Sequence, residues 1–187
     1  MYKRQGFAYP YGFGVSPTGG LMPDLTEPKA LVTLLHEELR LPMLDFTIGN
    51  PYVNPHVNRP YDGGPYVPDE HPLEGVARML GCIGQLKKAF PSLCVIGSGF
   101  SYLRQFSPYL AAGAVEQSVC DLAGFGRMAF AYPDFPRDTL YGEGFNARKT
   151  CIACGKCSAL MRAGTVAGCV VRDGETYLPF YQAHCCV

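Results

Sequence analysis

The chain has 187 residues, enough for one sizeable hydrophobic core, and its 22 glycines and 16 prolines predict long structured loops rather than a compact helical bundle. Its 16 basic and 16 acidic residues balance without a basic run, which argues against a nucleic-acid partner. No apolar stretch approaches the roughly 18 residues that a membrane helix needs, so no membrane association is expected. Nine cysteines without a secretory leader favour a reducing compartment, and we expect a cytoplasmic protein.

The first part of the chain predicts strands, a helix and a long loop. A strand is expected over residues 7–15, a leucine-rich helix with Thr26 as its N-cap follows, and a short buried strand covers residues 43–48. Residues 49–70 then contain five prolines and little periodicity. A connection of this length is typical of a binding loop or a lid.

The middle of the chain continues the same alternation. A helix is predicted over residues 72–90, a strand over 93–96, a helix over 102–112 and a strand over 121–125. Short apolar strands alternating with helices indicate an α/β fold with a parallel sheet, either open or closed into a barrel. In such folds the functional loops lie at the carboxyl ends of the strands.

Two glycine turns follow the last two predicted strands. Their missing side chains let backbone N–H groups approach an anion, and an arginine in the second turn adds a charged donor suited to phosphate. Neighbouring last strands of an eight-stranded barrel often build one phosphate site together. Ordinary tight turns with a surface arginine are the alternative. The candidate phosphate-binding residues are Gly97, Ser98, Gly99, Gly124, Phe125, Gly126 and Arg127.

Four cysteines stand near the carboxyl end in the spacing C-x2-C-x2-C-x11-C: Cys151, Cys154, Cys157 and Cys169. Three closely spaced thiolates and a later fourth are typical of a four-iron cluster. A structural zinc site usually takes its ligands as two separated pairs, and it is the competing metal hypothesis. Unliganded thiols are a further alternative, and disulfides are the weakest one.

These features together resemble one family. The run DLAGFGRMAFAYPDFP at residues 121–136, the heptapeptide CIACGKC at residues 151–157 and Cys169 resemble the iron–sulfur branch of the Old Yellow Enzyme superfamily of NADH:flavin oxidoreductases. That branch includes 2,4-dienoyl-CoA reductase and trimethylamine dehydrogenase. The resemblance implies an FMN-binding (β/α)8 TIM barrel followed by a [4Fe–4S] segment.

The resemblance also implies a domain organisation. The chain would be the carboxyl-terminal half of the barrel, with strands five to eight, followed by the cysteine-rich iron–sulfur segment. Residues 1–5 resemble translated sequencing adapter and are expected to be a non-native leader. Residues 6–147 would form the partial barrel, and residues 148–187 the iron–sulfur segment with a carboxyl-terminal tail. Because half a parallel barrel has open edges, we expect it to pair with its missing amino-terminal half or with a second copy.

The implied activity is reduction of an activated C=C bond in a small unsaturated substrate. FMN and a [4Fe–4S] cluster would be the cofactors, with NAD(P)H or an external protein as the electron donor. His56 and Tyr52 in the long loop are the candidate proton donors, since a histidine or a phenol at the site can protonate the substrate. The alternatives are an amine dehydrogenase-like flavoenzyme, or a non-enzymatic module that binds a cluster or zinc for electron transfer or interaction.

Overall fold

The computed structural model describes residues 13–16, 22–49, 55–61, 66–142 and 144–186. Most of the strand predicted over residues 7–15 lies outside these ranges, and so do residues 1–5 and Tyr52. At its described end, Phe13 and Gly14 form a turn, and Val15 makes an isolated antiparallel bridge with Pro23.

The described residues form a mixed α/β structure. The strands are β1 (Met43–Phe46), β2 (Cys94–Ser98) and β3 (Leu122–Gly124). The α-helices are α1 (Thr26–Thr33), α2 (Pro55–Asn58), α3 (Pro72–Ala89), α4 (Ser107–Glu116), α5 (Arg127–Ala131), α6 (Phe135–Tyr141), α7 (Lys156–Arg162) and α8 (Gly174–Cys185). A π-helical segment, Leu34–Glu38, extends α1, and 3-10 helices span Phe100–Phe106 and Ala147–Lys149. Within the described ranges, no helix combines the length and the apolar character needed to cross a membrane.

The three strands form one parallel sheet in the order β1-β2-β3. The predicted parallel alternation is therefore confirmed for these strands, with end positions that differ by one or two residues. In the register of β2 and β3, Ser98 lies opposite Gly124, so the two glycine turns leave the sheet side by side. Among the described residues, β1 and β3 are the edge strands.

Helix α3 forms the main hydrophobic core with β2 and the 3-10 helix that follows β2. Its apolar residues recur at helical spacing, and Met79 and Ile83 are fully buried against Leu93, Val95 and Phe100. Burying each such side chain contributes about 1.5–3 kcal/mol. Helix α3 begins where Nδ1 of His71 accepts the N–H of Leu73, at 3.2 Å.

An ionic contact ties this core to the starts of β2 and β3. The carboxylate of Asp121, which precedes β3, accepts the backbone N–H of Val95 at 2.7 Å and lies 2.8 Å from Nζ of Lys87. Lys87 also donates to the carbonyl of Leu93 at 2.8 Å. The hydrogen bond from Lys87 and that from Val95 hold the pKa of Asp121 below its usual range. Helix α3 and two strands are thus fixed through one carboxylate.

A second hydrophobic cluster connects the sheet to the cysteine segment. Met128 and Tyr132, on and just after α5, pack with Cys151, and Phe125 packs against this cluster. The ring of Phe125 lies 5.6 Å from that of Phe100 and 4.9 Å from that of Phe135, measured between centroids. Because Phe100 belongs to the main core, Phe125 joins the two clusters.

Two helix predictions need correction. Thr26 is the first helical residue rather than the N-cap, because the carboxylate of Asp24 accepts its N–H at 2.9 Å. The helix predicted over residues 102–112 is divided into a 3-10 helix and α4, with Arg104 at φ 54° and ψ −121° between them. The hydroxyl of Ser107 donates to the carbonyl of Phe100 at 2.8 Å and holds this bend closed.

Gly99, which follows β2, is predicted to be intolerant of a side chain. Its φ is +119°, and an added Cβ would lie 2.6 Å from Sδ of the buried Met79. We expect Gly99→Ala to lower the free energy of unfolding by about 1–3 kcal/mol in urea denaturation. Gly81→Ala, on α3 with open space around it, is the control and should raise it by about 0.5–1 kcal/mol. Equal changes in the free energy of unfolding in the two variants would contradict the strain expected at residue 99.

Candidate functional site

All four cysteines of the spaced motif line one small cavity of about 20 Å³. Cys151, Cys154 and Cys157 lie just before and at the start of α7, whereas Cys169 lies in the turns that precede α8. Helices α7 and α8 pack against each other, which brings the two segments together. The structure therefore gathers the four predicted residues at one place, here called the cysteine cavity.

The backbone between the first cysteines is bent into the left-handed region. Ala153 has φ +56° and Gly155 has φ +74°. The conformation suits glycine but costs roughly 1–2 kcal/mol for alanine, and Ala153 is fully buried. Such strain persists only where the surroundings enforce it, and it is concentrated at functional sites.

Backbone and arginine donors surround the sulfur atoms. The N–H of Ala153 donates to Sγ of Cys151 at 3.3 Å, and the N–H of Arg172 donates to Sγ of Cys169 at 3.4 Å. The guanidinium of Arg172 donates twice to the carbonyl of Thr150, at 3.0 and 2.9 Å. These bonds connect the first and last cysteines of the motif.

Burial and the neighbouring groups have opposite effects on the pKa of the Cys151 thiol. Desolvation raises the pKa of its thiol, while the N–H of Ala153 and the charge of Arg127 oppose the increase. Within the described ranges, no three His, Cys, Asp or Glu side chains form a group that could hold a metal ion. The sulfurs share a cavity without converging as the ligands of a single ion do. A donor set of four cysteines with N–H donors is nevertheless the chemistry that an iron–sulfur cluster needs.

Arg127, the first residue of α5, joins the cysteine cavity to the long loop. One of its guanidinium nitrogens, Nη1, donates to the carbonyl of Pro60 at 2.9 Å, and the side chain lines the cysteine cavity. Burial lowers the pKa of Arg127, and the charges of Cys151, Cys157 and Cys154 raise it. A buried guanidinium requires such partners, because an unpaired charge away from water is costly.

The predicted phosphate residues are brought together in part. Ser98 and Gly124 are neighbours across β2 and β3, and an added Cβ at Gly124 would lie 2.5 Å from Oγ of Ser98. The hydroxyl of Ser98 donates to the carboxylate of Asp45 at 2.8 Å, which places an acidic group beside the turn. Gly126 has no neighbouring atom within 4 Å of an added Cβ, so its backbone is open to approach.

His56 is buried, with 2% of its surface exposed. Its Nε2 lies 3.2 Å from Oε1 of Glu70 without hydrogen-bond geometry, and the carboxylate of Glu70 is held by the guanidinium of Arg78. The ring of Tyr61 contacts His56 edge-on, with centroids 5.4 Å apart. Burial lowers the pKa of His56, and the charge of Glu70 opposes that decrease. His56 does not line the cysteine cavity.

Several site residues are absent from the sequence-based set. Glu70 and Arg78 enclose His56, and Arg172 ties the ends of the cysteine motif together. Arg172 lies three residues after Cys169, which is the one sequence signal that pointed to it. Glu70 and Arg78 are found only once the loop is folded onto α3.

Comparisons with models of known protein families, with curated proteins and with solved structures found no match. The family resemblance therefore stays a prediction from the residues, and the functional argument rests on the geometry of the cysteine cavity and its surroundings.

The burial of His56 predicts a pH-dependent stability. Its folded-state pKa lies below the usual 6.5, so below about pH 6.5 the unfolded chain binds a proton that the folded chain does not. The free energy of unfolding should therefore fall as the pH decreases below about 6.5, by at most about 1.4 kcal/mol per pH unit. Chemical denaturation across this range measures the slope.

His56→Gln removes the titrating group and should reduce that slope, whereas His184→Gln, at the exposed end of α8, should retain it. Slopes that are identical in the two variants would show that His56 does not control the pH dependence.

Proposed function

We propose that the chain is part of an FMN- and [4Fe–4S]-dependent oxidoreductase that reduces an activated C=C bond with electrons from NAD(P)H. The observation that carries the proposal is the cysteine cavity: four cysteines in cluster spacing line one space, with N–H donors to two sulfurs and a buried arginine in its wall. The resemblance to the iron–sulfur branch of the Old Yellow Enzyme superfamily supplies the reaction class.

The spacing of the cysteines, three close together and a fourth later, favours a cluster over zinc. A single zinc ion draws four ligands to about 2.3 Å from one point. A four-iron core instead takes one thiolate on each iron, so its cysteines surround a larger body. All four cysteines line one small cavity, and within the described ranges no three His, Cys, Asp or Glu side chains are grouped around one point, so the spacing carries the preference for a cluster. Hydrogen bonds from Ala153 and Arg172 and the charge of Arg127 would stabilise the thiolates.

The adjoining strand ends support a phosphate site for FMN. Under this proposal β1, β2 and β3 are the sixth, seventh and eighth strands of a TIM barrel, and the turns after β2 and β3 hold the phosphate. Their side-by-side exit from the sheet and the open backbone at Gly126 are the supporting features. Asp45 opposes an anion there, so the backbone N–H groups and Arg127 would have to outweigh its charge.

Under this proposal the chain's own residues would position the cofactors and the substrate, and the cofactors would perform the redox chemistry. When bound, FMN supplies hydride transfer and the cluster supplies single electrons. A proton donor must touch the substrate, whereas His56 is covered by Tyr61 and lies beside Glu70. These contacts favour a role for His56 in holding the loop against α3. Tyr52, the second proposed donor, lies outside the described residues.

Metal analysis after strictly anaerobic purification tests the cluster. We expect about four irons and four acid-labile sulfides per chain, because each cysteine binds one iron. Cys154→Ala and Cys169→Ala should each lower the iron content severalfold. Cys94→Ala, on β2 and away from the cavity, is the control and should leave it unchanged. Zinc without sulfide, or iron unaffected by the motif variants, would sink the cluster proposal.

Flavin titration tests the phosphate site separately. Gly126→Asp should weaken FMN binding by about tenfold, or 1.4 kcal/mol, because its carboxylate would repel the phosphate. Gly126→Ala should bind as the unaltered chain does, since φ at residue 126 is −83° and open space surrounds an added Cβ. Fluorescence quenching of FMN measures both affinities. Equal affinity for the two variants would place the flavin phosphate elsewhere.

A further inference from the structure

A second cavity adjoins the cysteine cavity and is lined by positive charge. It has a volume of about 330 Å³, and its walls include the cations Arg59, Arg127, Lys156 and Arg162. Among the residues that the structure describes, neither an aspartate nor a glutamate lines it. It is called the arginine cavity below.

We propose that the arginine cavity is a binding site for a small organic anion that carries a phosphate or carboxylate group. Four cations around one space repel each other unless an anion lies between them. Arg59, Arg127 and Arg162 line the same space, and after burial the charges of Arg162 and Arg127 lower the pKa of Arg59. An oxyanion in the cavity removes this repulsion and accepts the guanidinium donors in pairs.

The guanidinium of Arg59 is fixed before any ligand binds. Its Nη1 donates to the hydroxyl of Ser158 at 2.7 Å, and Ser158 is buried on α7. This bond joins the long loop to α7 across the cavity wall. A donor group held in place loses less conformational freedom on binding, which favours affinity.

Two tyrosines complete the walls and point to an organic ligand rather than a bare ion. Nζ of Lys156 lies 5.2 Å from the ring centroid of Tyr181 on α8, and Tyr61 lines the loop side. Aromatic walls beside cationic groups suit a ligand with both an apolar part and an oxyanion.

The cysteines and the glycine turns do not account for this charge. Of the four motif cysteines, only Cys154 lines the arginine cavity, and no residue of the turns at 97–99 and 124–126 lines it. Arg127 lies in the walls of both cavities. Arg127 also belongs to the flavin phosphate site proposed above, so Arg59 and Arg162 are the cations that distinguish the arginine cavity from it.

Isothermal titration calorimetry with inorganic pyrophosphate, and separately with citrate, tests the site. Arg162→Gln and Arg59→Gln should each weaken binding by at least about tenfold, equivalent to about 1.4 kcal/mol. Arg148→Gln removes the same charge from an exposed arginine outside the cavity and should change the affinity less than about twofold. Binding by both probes identifies a general oxyanion site, and binding by pyrophosphate alone identifies a phosphate site.

Circular dichroism and iron content are measured on the same samples. If Arg59→Gln fails to fold because Ser158 loses its partner, the exposed Arg162 still provides the test. The proposal would be overturned if the Arg162 and Arg148 variants lost the same amount of affinity for the probes. It would also be overturned if the unaltered chain bound neither probe at millimolar concentration. A variant that keeps its iron content but loses anion binding shows that the anion site is affected and the cluster site is not.

Discussion

The half-buried side chain of Arg127 is the group on which the arrangement of the site depends. Arg127 follows the turn after β3. Its guanidinium donates to the carbonyl of Pro60 in the long loop, and its side chain lines both cavities. Removing a guanidinium from water is costly unless it gains hydrogen bonds and opposite charge. The single hydrogen bond to the carbonyl of Pro60 offsets only part of this free-energy cost. The charges of Cys151, Cys157 and Cys154, when these thiols are ionised, oppose the effect of burial on the pKa of Arg127.

The position of Arg127 in turn follows from aromatic packing and from the parallel sheet. Phe125 packs between Phe100 in the main core and Phe135 in the second cluster, so the turn that begins α5 is fixed from both sides. The ionic contact of Asp121 with Lys87 holds the other end of β3 to α3. The strand is therefore fixed at both ends, and the cysteine segment is built on a rigid base. Rigid support is what a cofactor site needs to keep its ligands in place.

The sequence predicted the elements better than the contacts between them. The apolar periodicity of α3 and the short apolar runs of β1, β2 and β3 located these elements, because burial on one face leaves a pattern in the chain. The motif spacing likewise brought four cysteines to one cavity. The bend at Arg104 was missed because apolar periodicity does not report a single residue with positive φ. The burial of His56 beside Glu70, and the group of cations at Arg59 and Arg162, were missed because they join segments distant in sequence.

The two cavities cannot act independently if both are filled by anions. They share Arg127, Cys154, Gly155 and Lys156 in their walls. An anion in the arginine cavity would draw on the same positive charge that stabilises the thiolates. It would therefore disfavour additional negative charge in the cysteine cavity, and by reciprocity added negative charge there would weaken anion binding. For a cluster that gains an electron, this coupling has a fixed sign: the bound anion would make reduction harder, and reduction would favour release of the anion. The shared residues would therefore couple the charge in the cysteine cavity to the affinity of the arginine cavity for an anion.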